Sequence, residues 1–449
     1  MRVLGLMSGT SADGVDAVLA EFHGSPCRPR WRRLASAALP YPIELQQRLL
    51  ALGQGQPLAA ADLLDLAEAV SEQQAAAARH CDPDGQAELI GCHGQTVWHR
   101  PPEARRRGAS WQLLQGPLLA QLLERPVVFD FRANDLALGG QGAPLVPATD
   151  AALLGGIGGW RALLNLGGIA NLTLLPPGCG PERGRPVLGW DCGPANTLLD
   201  LAVRRFSGGG LRFDADGAWA REGRCDEALL QRWLREDYFL LEPPKSTGRE
   251  LFGQADLERR LADLGLPAGA NAPGELAVSG AWLDPAEPGA WLDPAAEHPA
   301  ESSAAGPTAA ASPDPPTTPI AAPPDPLSPP EPLSPDDRQL RQRQADALAT
   351  LSAFTAAVVA QDLDRGSKPL ELLVAGGGAR NRLLMEELRR RCRGIRVRPL
   401  AELGIADSER EPLAFALLAW WRWRRHPGSL PSVTGAQRAA LLGVVADPA

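Results

Sequence analysis

The sequence predicts an α/β fold, and three observations carry that expectation. Short apolar runs ending in glycine alternate with longer stretches whose leucines and alanines recur at helical spacing. Val3 to Met7 and Val15 to Ala20 flank a turn of glycine, hydroxyl and Asp-Gly residues, which reads as a β-hairpin. Late in the chain, Leu370 to Ala375 runs into Gly376-Gly377-Gly378, and a helical pattern starts at Asn381.

The remaining elements follow in order. Leu45 to Ala78 is alanine-rich with leucines at helical spacing. Glu88 to Cys92 reads as a strand ending in His93-Gly94-Gln95-Thr96, and Pro126 to Phe131 as another ending in Arg132. Leu163 to Leu166 leads into Gly167-Gly168, with Ile169 to Leu175 as the return strand. Ala345 to Leu363 is apolar but interrupted by Asp346, Thr350, Ser352 and Thr355. It reads as a buried core helix, since a membrane span needs ~18 uninterrupted apolar residues. Between about 283 and 337 the composition changes: sixteen of the 43 prolines lie from Pro285 to Pro335. Such a stretch cannot bury enough apolar surface to offset its ordering entropy and is expected to be a disordered or loosely packed insertion. Linker and partner-binding readings both fit it. Gly280 to Ala286 recurs as Gly289 to Ala295, a local duplication and not a solenoid.

Composition narrows the function. A chain of 449 residues fits one to three domains. Its 45 basic and 53 acidic residues leave a net charge of −8, which argues against a nucleic-acid surface. Seven cysteines stand singly, without a C-x-x-C pair, so neither a zinc ribbon nor a disulfide frame is expected, and a reducing cytoplasm fits. The first residues lack the pattern of a signal peptide. Only Lys245 and Lys368 among the 45 basic residues are lysines; base composition is the usual source of such a bias.

Several stretches carry chemistry. Gly5 to Asp16 offers backbone N–H groups and hydroxyls that suit phosphate, and carboxylates that suit magnesium; an ordinary Asp-Gly hairpin fits the same residues. Gly167-Gly168 and Gly376 to Gly378 are further glycine turns after strands, where a nucleotide can approach the backbone. Asp191, before Gly193-Pro194, reads either as a general base at a cleft mouth or as the N-cap of the next helix. Cys92 to His99 combines amide, hydroxyl and the Trp98 ring, as sugar sites do. His93 and His99 could ligate a metal but lack a third ligand nearby. Arg132 could grip a substrate carboxylate or pair with Asp135. Lys245 could face phosphate or solvent. No G-x-x-x-x-G-K-[ST] sequence is present, which excludes the P-loop class.

The order of two strand–glycine hairpins and a late strand–triple-glycine–helix resembles the sugar kinase, Hsp70 and actin superfamily. More closely, GLMSGTSADGVD (5–16), GCHGQTVWH (91–99), DFRANDLALGGQGAPLVP (130–147), LNLGGIANL (164–172), GWDCGPANTLLD (189–200), PPKSTGRELF (243–252) and LVAGGGARNRLLM (373–385) resemble the anhydro-N-acetylmuramic acid kinase family. That resemblance implies a two-lobed actin-like ATPase with ribonuclease H-like lobes and an interlobe active-site cleft. The first lobe would span 1–160, completed by C-terminal helices, and the second 161–449. It implies ATP and Mg²⁺, an amino-sugar substrate whose 1,6-anhydro ring is opened as O6 is phosphorylated, a role in peptidoglycan recycling, and a homodimer. Asp191 falls at the family's catalytic base. Gly9, Thr10, Ser11, Ala12, Asp13, Gly14, Val15 and Asp16 match the ATP hairpin, with Asp13 as metal candidate. Gly167 and Gly168 match the second phosphate hairpin, and Gly376, Gly377, Gly378 and Asn381 the adenosine side. Gln95, Thr96, Arg132 and Glu411 match the sugar pocket.

Three positions depart from the family pattern: Gln115 replaces an acidic residue, Asp150 a histidine, and Ser408-Glu409 an acidic pair. Competing readings are a related kinase for another amino sugar and a nucleotide-gated binding or filament protein. A base beside a sugar pocket separates the last from a kinase. A glycosidase would need two carboxylates flanking a bond and no nucleotide hairpins.

Overall fold

β1 (Arg2–Ser8), β2 (Gly14–Ser25), β3 (Arg28–Pro40), β4 (Leu89–Arg100), β5 (Ala109–Leu113) and β6 (Val127–Phe129) build a first sheet. β7 (Arg161–Leu166), β8 (Ile169–Leu175), β9 (Leu188–Pro194), β10 (Glu371–Ala375) and β11 (Arg396–Pro399) build a second. β12 (Val444–Ala446) returns to the edge of the first sheet, whose order is β12-β6-β4-β1-β2-β3 with β5 on β4; the second runs β11-β10-β7-β8-β9. With helices packed on both, the fold is mixed α/β, as the sequence predicts. This computed structural model describes residues 1–103, 105–243, 245–248, 251–266 and 334–449. The Gly280/Gly289 duplication and most of the proline-rich stretch lie outside the described residues; from Pro335 the chain is the helix Pro335–Asp364.

The two sheets share one plan. In each, an antiparallel hairpin (β1/β2, β7/β8) has a parallel neighbour (β4, β10) on its first strand. A parallel neighbour brings its own C-terminal end beside the hairpin turn. Register then sets the site: Ser8 pairs with Gln95, and Ala375 pairs with Asn165. Gln95 therefore lies beside the Gly9 turn, and Gly376 follows beside Leu166, the residue before Gly167.

Helix Asp407–Trp423 packs on β1, β2 and β4. Only glycine fits beneath it at two places. A Cβ on Gly5 would stand 1.8 Å from the Pro412 carbonyl oxygen, and one on Gly91 2.3 Å from that of Phe415. The helix buries Leu413, Phe415, Leu417 and Trp420 in a core shared with Val3, Phe22, Leu163 and Leu373, residues of both sheets. Each such side chain, fully buried, contributes about 1.5–3 kcal/mol. Helix Pro335–Asp364 buries Leu348, Leu351, Phe354 and Val358 against Leu172, Leu174 and Phe239 beside the second sheet. The described residues within 1–266 and 342–449 form one compact unit.

Several boundaries differ from the sequence pattern. Leu45 to Ala78 divides into helices Ile43–Gly53 and Ala60–Cys81, because Gly55 and Pro57 interrupt it. β4 continues past Cys92 to Arg100, because β5 supplies a partner for its second half. Asn381 precedes the helix Arg382–Arg391 and caps it, its side-chain oxygen accepting the Leu384 N–H at 3.1 Å.

Candidate active site

The first turn is built from within. The Ser8 hydroxyl, fully buried, lies 2.8 Å from the Gly14 carbonyl and 2.5 Å from the Gln95 carboxamide oxygen. Gln95 in turn donates to the Gly9 carbonyl at 2.9 Å. Ala12 donates to that carbonyl at 3.1 Å and adopts φ +48°, a conformation costly for a non-glycine residue. Thr10, Ser11 and Asp13 stand exposed at the tip, with the Ser11 hydroxyl on Asp13 at 2.9 Å. Asp16, on β2 just after Gly14 and Val15, is pushed up to about 6, first by burial and then by the charges of Asp13 and Glu411. Asp16 thus feels the like charge of two other carboxylates, which disfavours its ionised form.

The second turn and the triple glycine meet directly. Gly376 holds φ +84°, and a Cβ there would lie 2.8 Å from the Leu166 carbonyl oxygen. A Cβ on Gly378 would reach within 2.6 Å of the Leu166 side chain. At Gly377 and Gly167, by contrast, the nearest atoms would be 3.9 and 3.6 Å away, so those faces leave room for a ligand. The Gly167 and Gly168 carbonyls accept the N–H groups of Ala195, Asn196 and Thr197, which ties this turn to the start of helix Asn196–Phe206. Gly376 donates its N–H to Asp407 at 3.2 Å. The first turn of helix Asp407–Trp423 therefore touches the triple glycine at one residue and carries Glu411, within electrostatic reach of Asp16, four residues on.

Asp191 is not a helix cap. It lies within β9, and Ala195 precedes the helix. Its Oδ1 accepts from the Asn171 amide at 2.8 Å. Its Oδ2 accepts from the Ser246 hydroxyl at 2.9 Å and the Thr247 N–H at 3.0 Å. Its backbone is fixed too: the N–H donates to the Lys245 carbonyl at 2.9 Å, and the carbonyl accepts from the Tyr238 hydroxyl at 2.8 Å. A carboxylate has about four lone-pair sites, and donors among the described residues fill three. Asn171, Ser246 and Thr247 were not among the expected site residues, although all three sit in stretches that carry the family resemblance.

Arg132 does not pair with Asp135. Its guanidinium spans His93 Nε2, at 3.1 and 3.2 Å, and the Gly142 carbonyl at 3.1 Å. Asp135 instead accepts from the Gly142 N–H and the Thr434 hydroxyl, both at 2.8 Å. His93 Nδ1 lies 2.9 Å from the Gly94 carbonyl, so it carries the proton and Nε2 accepts. Burial, then the Arg132 charge, pulls His93 down to about 3, so it is neutral at working pH. With Nε2 taken by Arg132, His93 is not a metal ligand, and no cluster of three metal-ligating side chains occurs among the described residues. Thr96 accepts from Gln112 at 3.2 Å on the β4/β5 pair. Glu411 is exposed yet walled by protein on most sides; burial pushes its carboxyl up, while Arg410 and Arg132 pull it back.

The departures have structural work. Asp150 receives Arg410 at 2.5 and 3.3 Å, a buried pair at the base of the Glu411 turn. Glu409 accepts from Arg33 and from Ser36, which ties the same turn to β3. Gln115 precedes helix Gly116–Leu123 and donates its N–H to Ser71 at 2.8 Å. Lys245 faces neither phosphate nor solvent: it is buried against Asp362 at 2.9 Å. A depression of about 680 Å³ lined by Glu227, Gln361, Arg365 and Arg391 holds none of these residues. Arg391 there is already paired with Glu227.

The model of the anhydro-N-acetylmuramic acid kinase family matches residues 1–272 and 334–448. The chain is similar to proteins named anhydro-N-acetylmuramic acid kinase from Parasynechococcus marenigrum (strain WH8102), at 54% identity over 454 residues, and Synechococcus sp. (strain CC9902), at 52% over 453. The one from Prochlorococcus marinus (strain MIT 9211) is 45% identical over 453 residues, and all three matches cover 100% of both chains. Two glycine turns with parallel neighbours, a fixed carboxylate on β9 and a match of this extent lead to one conclusion: the chain belongs to the anhydro-N-acetylmuramic acid kinase family.

Proposed function

We propose that Asp191 is the general base of this anhydro-N-acetylmuramic acid kinase. The observation that carries the reading is its hydrogen bonding: three donors hold the carboxylate, and one lone-pair site is left for a water. Asp191 takes a proton from that water as its oxygen bonds to C1 of the sugar. The C1–O6 bond breaks, and its electron pair goes to O6, which becomes the acceptor. Bound Mg²⁺–ATP supplies the phosphoryl group for O6, giving N-acetylmuramic acid 6-phosphate and ADP, and the metal neutralises developing charge. This is the chemistry of peptidoglycan recycling. Arg132, oriented by neutral His93 and Gly142, is a rigid cation for the sugar's carboxylate. Glu411, Gln95 and Thr96 complete the sugar side.

The residues present fit the nucleotide. Gly9 to Asp16 and Gly167-Gly168 would hold the phosphates, with Asp13 beside the metal. Gly376 to Gly378 would face adenosine, where Gly377 leaves open space. Asn381 uses its side-chain oxygen as a cap, so only its NH₂ would serve a ligand. Asp16 stands just after the first turn, its carboxyl raised by burial and by the charges of Asp13 and Glu411. The reading takes the chain as two lobes, 1–160 completed by C-terminal helices and 161–449; the separate hydrogen bonding of the two sheets supports that division. A cytoplasmic homodimer completes the reading; among the described residues no helix is long and apolar enough to cross a membrane.

The test is incubation with ATP, Mg²⁺ and anhydro-N-acetylmuramic acid, followed by mass spectrometry. The expected product gains one phosphate and one water. A gain of phosphate without water would refute the coupled ring opening.

A further inference from the structure

Lys245 is one of two lysines in the chain, and it is inside. Its Nζ lies 2.9 Å from Asp362 Oδ1, with the two side chains 3% and 1% exposed, and 5.1 Å from the centre of the Tyr238 ring. Asp362, on helix Pro335–Asp364, also accepts the Trp190 indole N–H at 3.0 Å. One carboxylate therefore holds both the residue before Asp191 and the lysine whose carbonyl receives the Asp191 N–H. The two residues after Lys245 are the ones that reach the Asp191 carboxylate.

A buried ion pair is a poor source of stability, because both ions lose water; apolar side chains of similar volume often do as well. What such a pair does supply is a fixed position. Ser246 is exposed and Thr247 only half-buried, so burial of their own side chains does not fix the segment beside Asp191. The buried anchor is Lys245.

We infer that the Lys245–Asp362 pair is the positioning device of Asp191, setting the segment whose Ser246 hydroxyl and Thr247 N–H aim the carboxylate. This rests on Asp191 as the base. Lys245 and Asp362 are positioning residues and touch no reactant.

The test uses the full chain with Lys245→Met, Lys245→Arg, Lys245→Met/Asp362→Asn, Ser246→Ala and Asp191→Asn, each checked for folding by circular dichroism and melting. For folded Lys245→Met, kcat falls about 10- to 100-fold while KM for ATP stays within about twofold, since misplacing a reacting group by about 1 Å costs on that scale. Lys245→Arg restores part of kcat. If Lys245→Met does not fold, the double variant, which leaves no buried carboxylate without its lysine and keeps an oxygen for the Trp190 indole N–H, shows the same loss. Ser246→Ala changes an exposed side chain and lowers kcat about three- to tenfold. A kcat within twofold of the parent in folded Lys245→Met, in the double variant or in Ser246→Ala overturns the inference. Asp191→Asn separates the two readings: if it keeps turnover, the base assignment fails. If it is inactive and Lys245→Met is normal, only the positioning role fails.

Discussion

Asp191→Asn replaces one carboxylate oxygen by NH₂ and leaves the shape of the side chain intact. All three partners donate to the carboxylate: the Thr247 N–H at 3.0 Å, the Ser246 hydroxyl at 2.9 Å and the Asn171 amide at 2.8 Å. The new amide can keep its oxygen toward Thr247 and Ser246 and turn its NH₂ toward Asn171. Asn171 then needs only to flip its own carboxamide to present oxygen. One exchanged hydrogen bond costs about 1 kcal/mol or less, so the variant folds and its melting point moves by a few degrees at most. The loss in chemistry is much larger. A positioned general base is worth about 10²- to 10⁴-fold, or about 3–5.5 kcal/mol at 1.36 kcal/mol per tenfold. The expected result is kcat reduced at least about 100-fold with ATP affinity within about twofold, because the nucleotide's turns are untouched. ADP release measures the first quantity and calorimetric ATP binding the second. A folded Asp191→Asn protein retaining more than about a tenth of parental kcat would refute the base, because loss of a positioned general base leaves about a hundredth or less.

Other perturbations test the frame. Gly5→Ala places a Cβ 1.8 Å from the Pro412 carbonyl and pushes helix Asp407–Trp423 off the sheet. It lowers stability by about 3 kcal/mol or more in denaturant titration and weakens turnover through Glu411; a parental midpoint would disprove the close packing. Asp16 sits at about 6, above its usual 3.8, so the folded state holds that proton more tightly than the unfolded chain. Its effect on stability is therefore absent at pH 3.5, grows unfavourable as pH rises from about 4 to 6, and persists above. Without metal, Asp16→Asn raises the melting point by about 1–2 °C at pH 8 and by nothing at pH 3.5, measured against the parent; equal shifts at both pH values would count against the like-charge account. Arg132→Lys loses the fork that spans His93 and Gly142 and raises KM for the sugar about tenfold in steady-state kinetics, with KM for ATP unchanged; an unchanged sugar KM would remove Arg132 from the pocket.

Much of the frame is legible along the chain because its signals are local. Glycine turns after apolar runs mark both hairpins, and the return strand Ile169–Leu175 appears with the boundaries its pattern predicts. The β4 strand is longer than its apolar run because β5 supplies its partner, and pairing is not local information. Asp191 reads as well for a cap as for a base from its neighbours alone. Its place within β9, paired with Asn171, removes the cap. His93 as a ligand and Arg132 beside Asp135 are plausible by proximity in sequence. The fold instead turns the two toward each other, 39 residues apart.

The sequence by itself determined the α/β class, the two glycine turns, the triple glycine and the family, since those rest on residue order and on φ angles or close approaches that glycine alone tolerates. Only the tertiary structure decided what surrounds the chemistry. Asp191 receives Thr247 from 56 residues away, and Lys245 finds Asp362 across 117. Contacts of that span leave no periodicity or spacing in the chain. They exist because pairing with β8 fixes the place of Asp191 on β9 and because a buried lysine must find a carboxylate wherever the fold supplies one.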